Sequence, residues 1–379
     1  MDENTYLTAA RQFLPLPTAP FHEHLVAEAV VAHVASRPWL ELARDPAGNR
    51  LLTYTPARSL RTPRLIATAH LDHPGLGFPR PVGRGAFFFE RLGGVDPDMA
   101  LGHRVRIHTL GRPAGQRPDR GRIRERLIER GVEGFVVETP SGFPLEPGCF
   151  ATLDLPGLRR RGPLLWGRAC DDLAGVVAGL CFLDELHRQR ARTRAGLLLT
   201  RAEEVGFGGM LEAAHRGWLD PEAVYVNLEC SSARAGATVG SGPIVRVGDR
   251  ATLFDPDLSA GVALVAAELA AADPGFCFQR KLMDGGTCEA SALCGAGLHT
   301  AALALPLGNY HNKGKTGPAA EFIHLGDAVG LVRLLVHLAL EAGGVAEAGR
   351  RAAKKIAAAM TAQRQRHRLR LRQTIKPNF

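Results

Sequence analysis

Residues 197–209, Leu-Leu-Leu-Thr-Arg-Ala-Glu-Glu-Val-Gly-Phe-Gly-Gly, constrain what this chain can fold into more than any other stretch. An apolar run of strand length reaches two adjacent carboxylates, Glu203 and Glu204, and then a glycine-rich turn. Two acids side by side at the end of a buried strand repel each other and are costly to desolvate, so they persist mainly beside a cation. An isolated Glu-Glu pair is more often a solvated surface loop. Here four other stretches at the ends of apolar runs also carry ligand-type side chains, and that reverses the reading.

The first is residues 64–75, an apolar strand running into His70 and Asp72. At i and i+2 these project from one strand face, where the acid can orient the histidine by hydrogen bonding its far ring nitrogen. The second is Asp171 with Asp172, ahead of the nearly all-apolar helix at 173–183. One aspartate can cap that helix, which leaves the other without a structural reason. The third is residues 223–229, a buried strand ending on Glu229. The fourth is residues 303–312, a strand that breaks into a loop carrying His311. Between these come an amphipathic helix at 21–36 with His22, His24 and His33 on its surface or boundary, and an Ala-rich helix at 258–272. A last helix spans residues 326–341.

From about residue 78 to 165 the texture changes to short alternating runs separated by Gly, Pro and Arg, with a short helix around 122–130. The chain therefore reads as an α/β protein: a mixed sheet flanked by helices, a di-metal site at its strand ends, and an inserted small β-barrel-like domain. Residues 1–77 and 166–345 form the discontinuous catalytic domain, 78–165 the insert, and 346–379 a basic tail. The tail is where the charge lies. Ten of the 47 Lys and Arg, and no acid, fall in residues 350–379, so the remaining 37 face 38 acidic residues in a near-neutral body. No apolar run approaches the ~18 residues needed to span a bilayer. Seven cysteines without a Cys-x-x-Cys pair point to reduced thiols in the cytoplasm.

In an open α/β sheet, sites form beyond the carboxyl ends of the strands. His70, Asp171, Glu204, Glu229 and His311 suit two divalent ions, zinc first, with cobalt or manganese as alternatives. Asp171 is inferred as the shared ligand, with His70 and Glu204 on one ion and Glu229 and His311 on the other. Such a pair activates water and polarises a carbonyl. Glu203 is then left as general base toward the water and acid toward the leaving amine. Asp72 supports His70. No Gly-x-Ser-x-Gly elbow and no His-Glu-x-x-His helix offers a different hydrolytic centre.

The ordered motifs Ala69-His70-Leu71-Asp72, Cys170-Asp171-Asp172, Glu203-Glu204-Val205-Gly206, the acid at 229, Gly240-Ser241-Gly242-Pro243, Gly285-Gly286-Thr287 and Pro306 to His311 resemble those of the cytoplasmic dizinc glutamyl and deblocking aminopeptidases. These are the peptidases that form tetrahedral dodecamers. The resemblance covers roughly residues 5–345, and it implies the same five ligands, Glu203 as the base, a peptide substrate and a homo-oligomer. This sequence departs from the pattern at His73, at Glu229 in place of Asp, at Asn309 in place of Arg, and at Cys288 where Gly-Thr-Asp is usual. A carboxypeptidase or deacylase on the same centre, or a non-catalytic metal-binding relative, are the competing functions; the unligated Glu203 argues against the last. The tail is read as a basic helix or arm able to contact anionic partners through salt-screened charge.

Overall fold

Uninterrupted apolar runs are what the strands of a parallel sheet require, because both faces are covered. The computed structural model describes residues 1–54, 56, 65–109, 119–140, 148–233, 236–283 and 285–373. Helices α1 (Glu3–Phe13) and α2 (His24–Ala35) precede strands β1 (Leu40–Arg44), β2 (Arg50–Tyr54) and β3 (Leu65–His70). Strands β4 (Gly75–Gly83) and β5 (Ala86–Leu92), helix α3 (Pro97–Ala100), and strands β6 (Arg104–His108), β7 (Asp119–Glu129), β8 (Val132–Glu138) and β9 (Phe150–Leu153) follow. Next come β10 (Arg159–Arg161), β11 (Leu164–Gly167), α4 (Cys170–Arg188), β12 (Ala195–Thr200), α5 (Gly208–His215) and β13 (Val224–Ser232). The chain continues through β14 (Ile244–Gly248), α6 (Pro256–Ala272), β15 (Gln279–Leu282), α7 (Glu289–Gly295), β16 (His299–Leu307), β17 (Glu321–His324), α8 (Leu325–Leu340) and α9 (Gly344–Gln373).

The main sheet has the order β1-β2-β12-β3-β13-β16-β14-β15. Its four central strands, β12, β3, β13 and β16, are mutually parallel, and β2 and β14 join them antiparallel. Strands β3 and β12 are buried at every position, as their sequences require. One face of the sheet is covered by α1, α4 and α8, whose Leu173, Val177, Phe182, Leu331 and Leu335 are fully buried. The other face packs Ile66, Leu198 and Tyr225 against Met210 of α5 and Leu293 of α7. Each such side chain contributes roughly 1.5–3 kcal/mol by leaving water, so the layers fix the strand ends firmly in space.

Strands β4-β5-β8-β7-β6-β9 close into a barrel around Phe87, Phe89, Ile107, Ile123, Phe135 and Val137. The helix expected around 122–130 is instead part of β7. There Gly121 and Ile123 point inward and alternate with outward Arg120, Arg122 and Arg124, a period of two rather than 3.6. Arg130 and Gly131, both with positive φ (52° and 81°), turn β7 into β8 as a two-residue hairpin loop. The barrel strands begin at Gly75, and β11 pairs with both β10 and β17 in a separate three-stranded sheet. The barrel thus spans 75–153, against the expected 78–165. Of His22, His24 and His33, expected at the surface or boundary, His22 and His33 are buried, and His22 stacks on Phe150 at 5.0 Å. The basic segment is helical as α9; residues 374–379 and Asp284 lie outside the described residues. Among the described residues no single helix is long and apolar enough to cross a membrane.

Candidate metal centre

The parallel strands deliver their ligand-type residues to one edge. Thr200, the last residue of β12, pairs with His70, the last of β3, so Glu203 and Glu204 follow just beyond that edge. On the other side of β3, Asn227 pairs with Thr68, and the same register carries Glu229 alongside His70. Strand β13 continues to Ser232, past the end expected at Glu229. Beyond β16, Asn309 and His311 both adopt left-handed backbone (φ 56° and 53°), which turns the His311 ring back over the edge. Asp171 and Asp172 open α4 with non-helical angles, freeing the Asp171 carboxylate to face the sheet.

All five expected ligands converge. Asp171 Oδ1 lies 3.6 Å from His70 Nε2, and Asp171 Oδ2 lies 3.7 Å from His311 Nε2. His311 Nε2 is 3.3 Å from Glu204 Oε2, and His70 Nε2 is 4.0 Å from both Glu229 Oε2 and Glu203 Oε2. Ligand atoms within 4.8 Å of one another form the groups His70–Asp171–Glu229 and Asp171–Glu204–His311. The expected pairing of Glu229 with His311 is therefore corrected: Glu229 belongs with His70, its neighbour in the sheet, and His311 with Glu204. His70 also groups with Glu203 and Glu204. Asp171 keeps its central place between the two groups.

Asp72 acts differently from the expected orientation of His70 by its carboxylate. The backbone carbonyl of Asp72 is the nearer partner of His70 Nδ1, at 3.1 Å, with the carboxylate at 3.6 Å. That carboxylate instead accepts the backbone N–H groups of Glu203 (3.0 Å) and Glu204 (3.1 Å). It holds the acidic turn while staying within ion-pair reach of the imidazole. His73 is not a rival ligand either. Its Nδ1 donates to the Asp171 carbonyl at 2.6 Å and its Nε2 lies 3.1 Å from Asn312 Oδ1, so it braces Asp171 from behind.

Several residues of the site were not legible in the sequence. Glu321 on β17 is fully buried; one carboxylate oxygen accepts from Asp171 N (3.1 Å) and the other from His311 N (2.9 Å). Only its place in an apolar strand signals it. Glu289, also fully buried, accepts from Thr200 Oγ1 at 2.8 Å. Gly94, just after β5 of the barrel, backs the His311 ring so closely that a Cβ there would sit 2.0 Å from Nδ1. Beside Glu229 opens a cavity of ≈ 380 Å³ lined by Arg246, Met283, Gly285, Cys288 and Tyr310. The Tyr310 ring stacks on His311 at 3.8 Å.

The electrostatics call for cations. Burial pushes Glu203 well above the usual carboxylate range, opposed by His70 and reinforced by Glu229 and Glu204. Burial likewise raises Glu229 to about 8 and Glu289 to about 7. Burial alone would lower His70, but Glu203, Asp171 and Asp72 outweigh it and raise it well above its ordinary value. Asp171 Oδ1, Glu204 Oε1 and Glu229 Oε1 are buried without a hydrogen-bond partner among the described residues. A carboxylate oxygen left so is costly. Two divalent ions between these imidazole and carboxylate donors would satisfy all three, so the residues present fit such a centre.

The model of the M42 glutamyl aminopeptidase family matches residues 143–334, just over half of the chain. Among solved structures, the Pyrococcus horikoshii TET1 peptidase, described as able to assemble into a tetrahedron or a large octahedral shell, superposes with a TM-score of 0.72. Identity is 21%, over 89% of this chain and 100% of that one. The TET aminopeptidase of the marine sediment archaeon Thaumarchaeota archaeon SCGC AB-539-E09 gives 0.75 at 19% identity, over 92% and 99%. An aminopeptidase of the archaeon Desulfurococcus kamchatkensis gives 0.73 at 20% identity, over 90% and 96%. These likenesses speak for the fold, while the family match runs through the sequence from before the central aspartate to beyond the late histidine. On that match, this chain belongs to the M42 glutamyl aminopeptidase family.

Proposed function

We propose that this metal-dependent aminopeptidase removes N-terminal residues from peptides at a pair of zinc ions, with Glu203 as the general base. The observation that carries the reading is the Asp171 carboxylate, whose two oxygens face two different histidines at 3.6 and 3.7 Å. His70 and Glu229 would complete one ion and His311 and Glu204 the other. Bound there, the ions would lower the pKa of a water and polarise the scissile carbonyl. Glu203 takes a proton from the attacking water and returns it to the departing amine. Asp72, by fixing the backbone of Glu203 and Glu204, presents base and ligand as one rigid unit.

The cavity beside Glu229 supports an acidic side chain as the preferred first residue. Arg246 in its wall is buried, its guanidinium stands 5.8 Å over the Phe254 ring, and its Nε has no hydrogen-bond partner among the described residues. A cation held this way favours a carboxylate over a neutral amide of the same shape. The TET1 relative described as a tetrahedral or octahedral assembly supports a homo-oligomer, with the dodecamer as the expected form. The cytoplasmic location expected from the cysteines belongs to the same proposal.

The test is metal analysis together with turnover of an aminoacyl-amide panel containing glutamyl, glutaminyl and leucyl members, run on wild type and Glu203→Gln. The variant keeps its metal and loses activity by about 10²–10⁴-fold. Full activity in the variant refutes the base. Loss of both metals makes Glu203 a ligand instead. Faster turnover of the leucyl than of the glutamyl amide refutes the role given to Arg246.

A further inference from the structure

Helix α9 divides into two parts of opposite character. Its first turns are packed: Val345, Ala348 and Gly349 are buried, and the Gly349 and Gly261 backbones approach so closely that a Cβ on either would collide with the facing chain. Arg351 then pairs with Glu268 and Glu341, and Lys355 with Glu268. Every residue from 353 to 373 is exposed. At 1.5 Å per residue, residues 356–373 alone project by roughly 27 Å.

The charge on this projection is one-sided in sign but not in direction. Arg364, Arg366, Arg368, Arg370 and Arg372 recur at every second residue, and no acid follows Glu347. Steps of two residues advance about 200° around a helix of 3.6 residues per turn, so Arg364, Arg368 and Arg372 fall on one side and Arg366 and Arg370 on the opposite side. The pairs 364/368, 366/370 and 368/372 also set like charges one turn apart, each costing about 0.2–0.5 kcal/mol in a free helix. The body before residue 350 is near-neutral, with 37 basic against 38 acidic side chains.

The occupant must therefore be a dense anion that can reach two opposite sides of the helix. A lipid surface calls for a segregated apolar face. Here Ile356, Met360 and Leu371 are widely spaced, and Leu369 points to another side, each at least 60% exposed. A second copy would bring the same positive charge. Residues 344–373 contain no Phe, Tyr or Trp and a single imidazole, His367, so base stacking is confined to one ring. A phosphodiester backbone, with about one charge per 1.7 Å of duplex axis, matches the arginine run without base reading.

We propose that the projecting part of α9 binds the phosphate backbone of nucleic acid without sequence preference. The experiment is fluorescence anisotropy of the full-length protein with two unrelated 20-base-pair duplexes, across a salt series. The comparison protein is a full-length variant carrying R364Q, R366Q, R368Q, R370Q and R372Q. Vesicles containing phosphatidylglycerol form a second arm. If five arginines meet five phosphates, log K falls with log salt at a slope of about −4.5, a loss of ~500-fold between about 50 and 200 mM salt. The duplexes should bind alike, and the variant should lose most of the affinity and the slope. Glutamine keeps helix propensity, and unchanged peptidase turnover marks the variant as folded. The proposal fails if wild type does not bind at about 50 mM salt or if its slope is shallower than about −2. Equal binding by the variant, strong preference for one duplex, or binding to vesicles but not to duplex also overturns it.

Discussion

The two halves of the candidate metal centre are built by different means. His70 and Glu229 sit on adjacent strands, β3 and β13, whose ladder sets their spacing, with Asn227 Nδ2 donating to Thr68 Oγ1 at 3.0 Å just behind them. Glu204 and His311 sit on connections. Glu204 follows Ala202, itself at φ 54°, and is held by the Asp72 carboxylate; His311 is held at φ 53° through its backbone bond to Glu321. The strand half draws its geometry from many cooperating bonds. The loop half depends on a few individual ones, so each is a separate point of failure. Half of the centre is secured by the fold, and the other half by particular side chains.

The sharpest way to separate the halves is Gly94→Ala. The new methyl would lie 2.0 Å from His311 Nδ1, in a barrel connection that has no reason to touch β3 or β13. The His311 ring should be driven off, bound metal should fall by about half, and activity should drop by about 10²-fold or more. Metal analysis and turnover of an aminoacyl amide read both quantities. A variant with full metal content and full activity would break the comparison, because the loop half would then tolerate losing its support.

A smaller effect is expected from Glu321→Gln. The carboxylate accepts from Asp171 N with one oxygen and from His311 N with the other. Glutamine keeps one acceptor and sets an amide donor against the second N–H. One buried backbone donor loses its partner, at about 1–3 kcal/mol. Metal affinity should weaken by about 10–100-fold, as for other residues that orient ligands from behind. Metal-buffer titration should show the weaker step alone displaced. Equal weakening of both steps would mean that Glu321 serves Asp171 more than His311, and the division between halves would need redrawing.

Much of this arrangement could be read from the sequence because strand-borne chemistry leaves a local mark. An apolar run ending in His70 or Glu229 carries both burial and ligand type in one stretch. The mixed sheet and the barrel-forming texture were legible for the same reason. β7 was misread because Arg-rich outward positions hid an inward set reduced to Gly121 and Ile123. The partner of each ligand was not legible, since it depends on strand order β12-β3-β13-β16, which non-local pairing decides. Glu321, Gly94 and Arg246 escaped for a related reason. Each acts on a residue far away in the chain, and nothing beside it in sequence records what it touches.

The smallest expected effect concerns pH in metal-stripped protein. Burial raises Glu229 to about 8, and Glu289, which bonds Thr200 at the end of β12, to about 7. Glu229 stands on the strand side of the centre, and Glu289, at the start of α7, lies behind the end of β12. A carboxyl whose folded value lies above the 4.5 of the free group binds more protons folded than unfolded. Its contribution to stability is complete below about pH 4.5 and is lost as the pH rises through 7 and then 8. The stripped protein should therefore melt lower at pH 8.5 than at pH 6, by about 1–2 °C for each kcal/mol of linkage. Restoring metal should weaken or reverse the trend, because ligands must shed their protons to bind. Melting curves at both pH values, with chelator and with added zinc, make the comparison. If stripped and loaded protein show the same slope against pH, Glu229 and its buried neighbour Glu289 are not the groups that the cations neutralise.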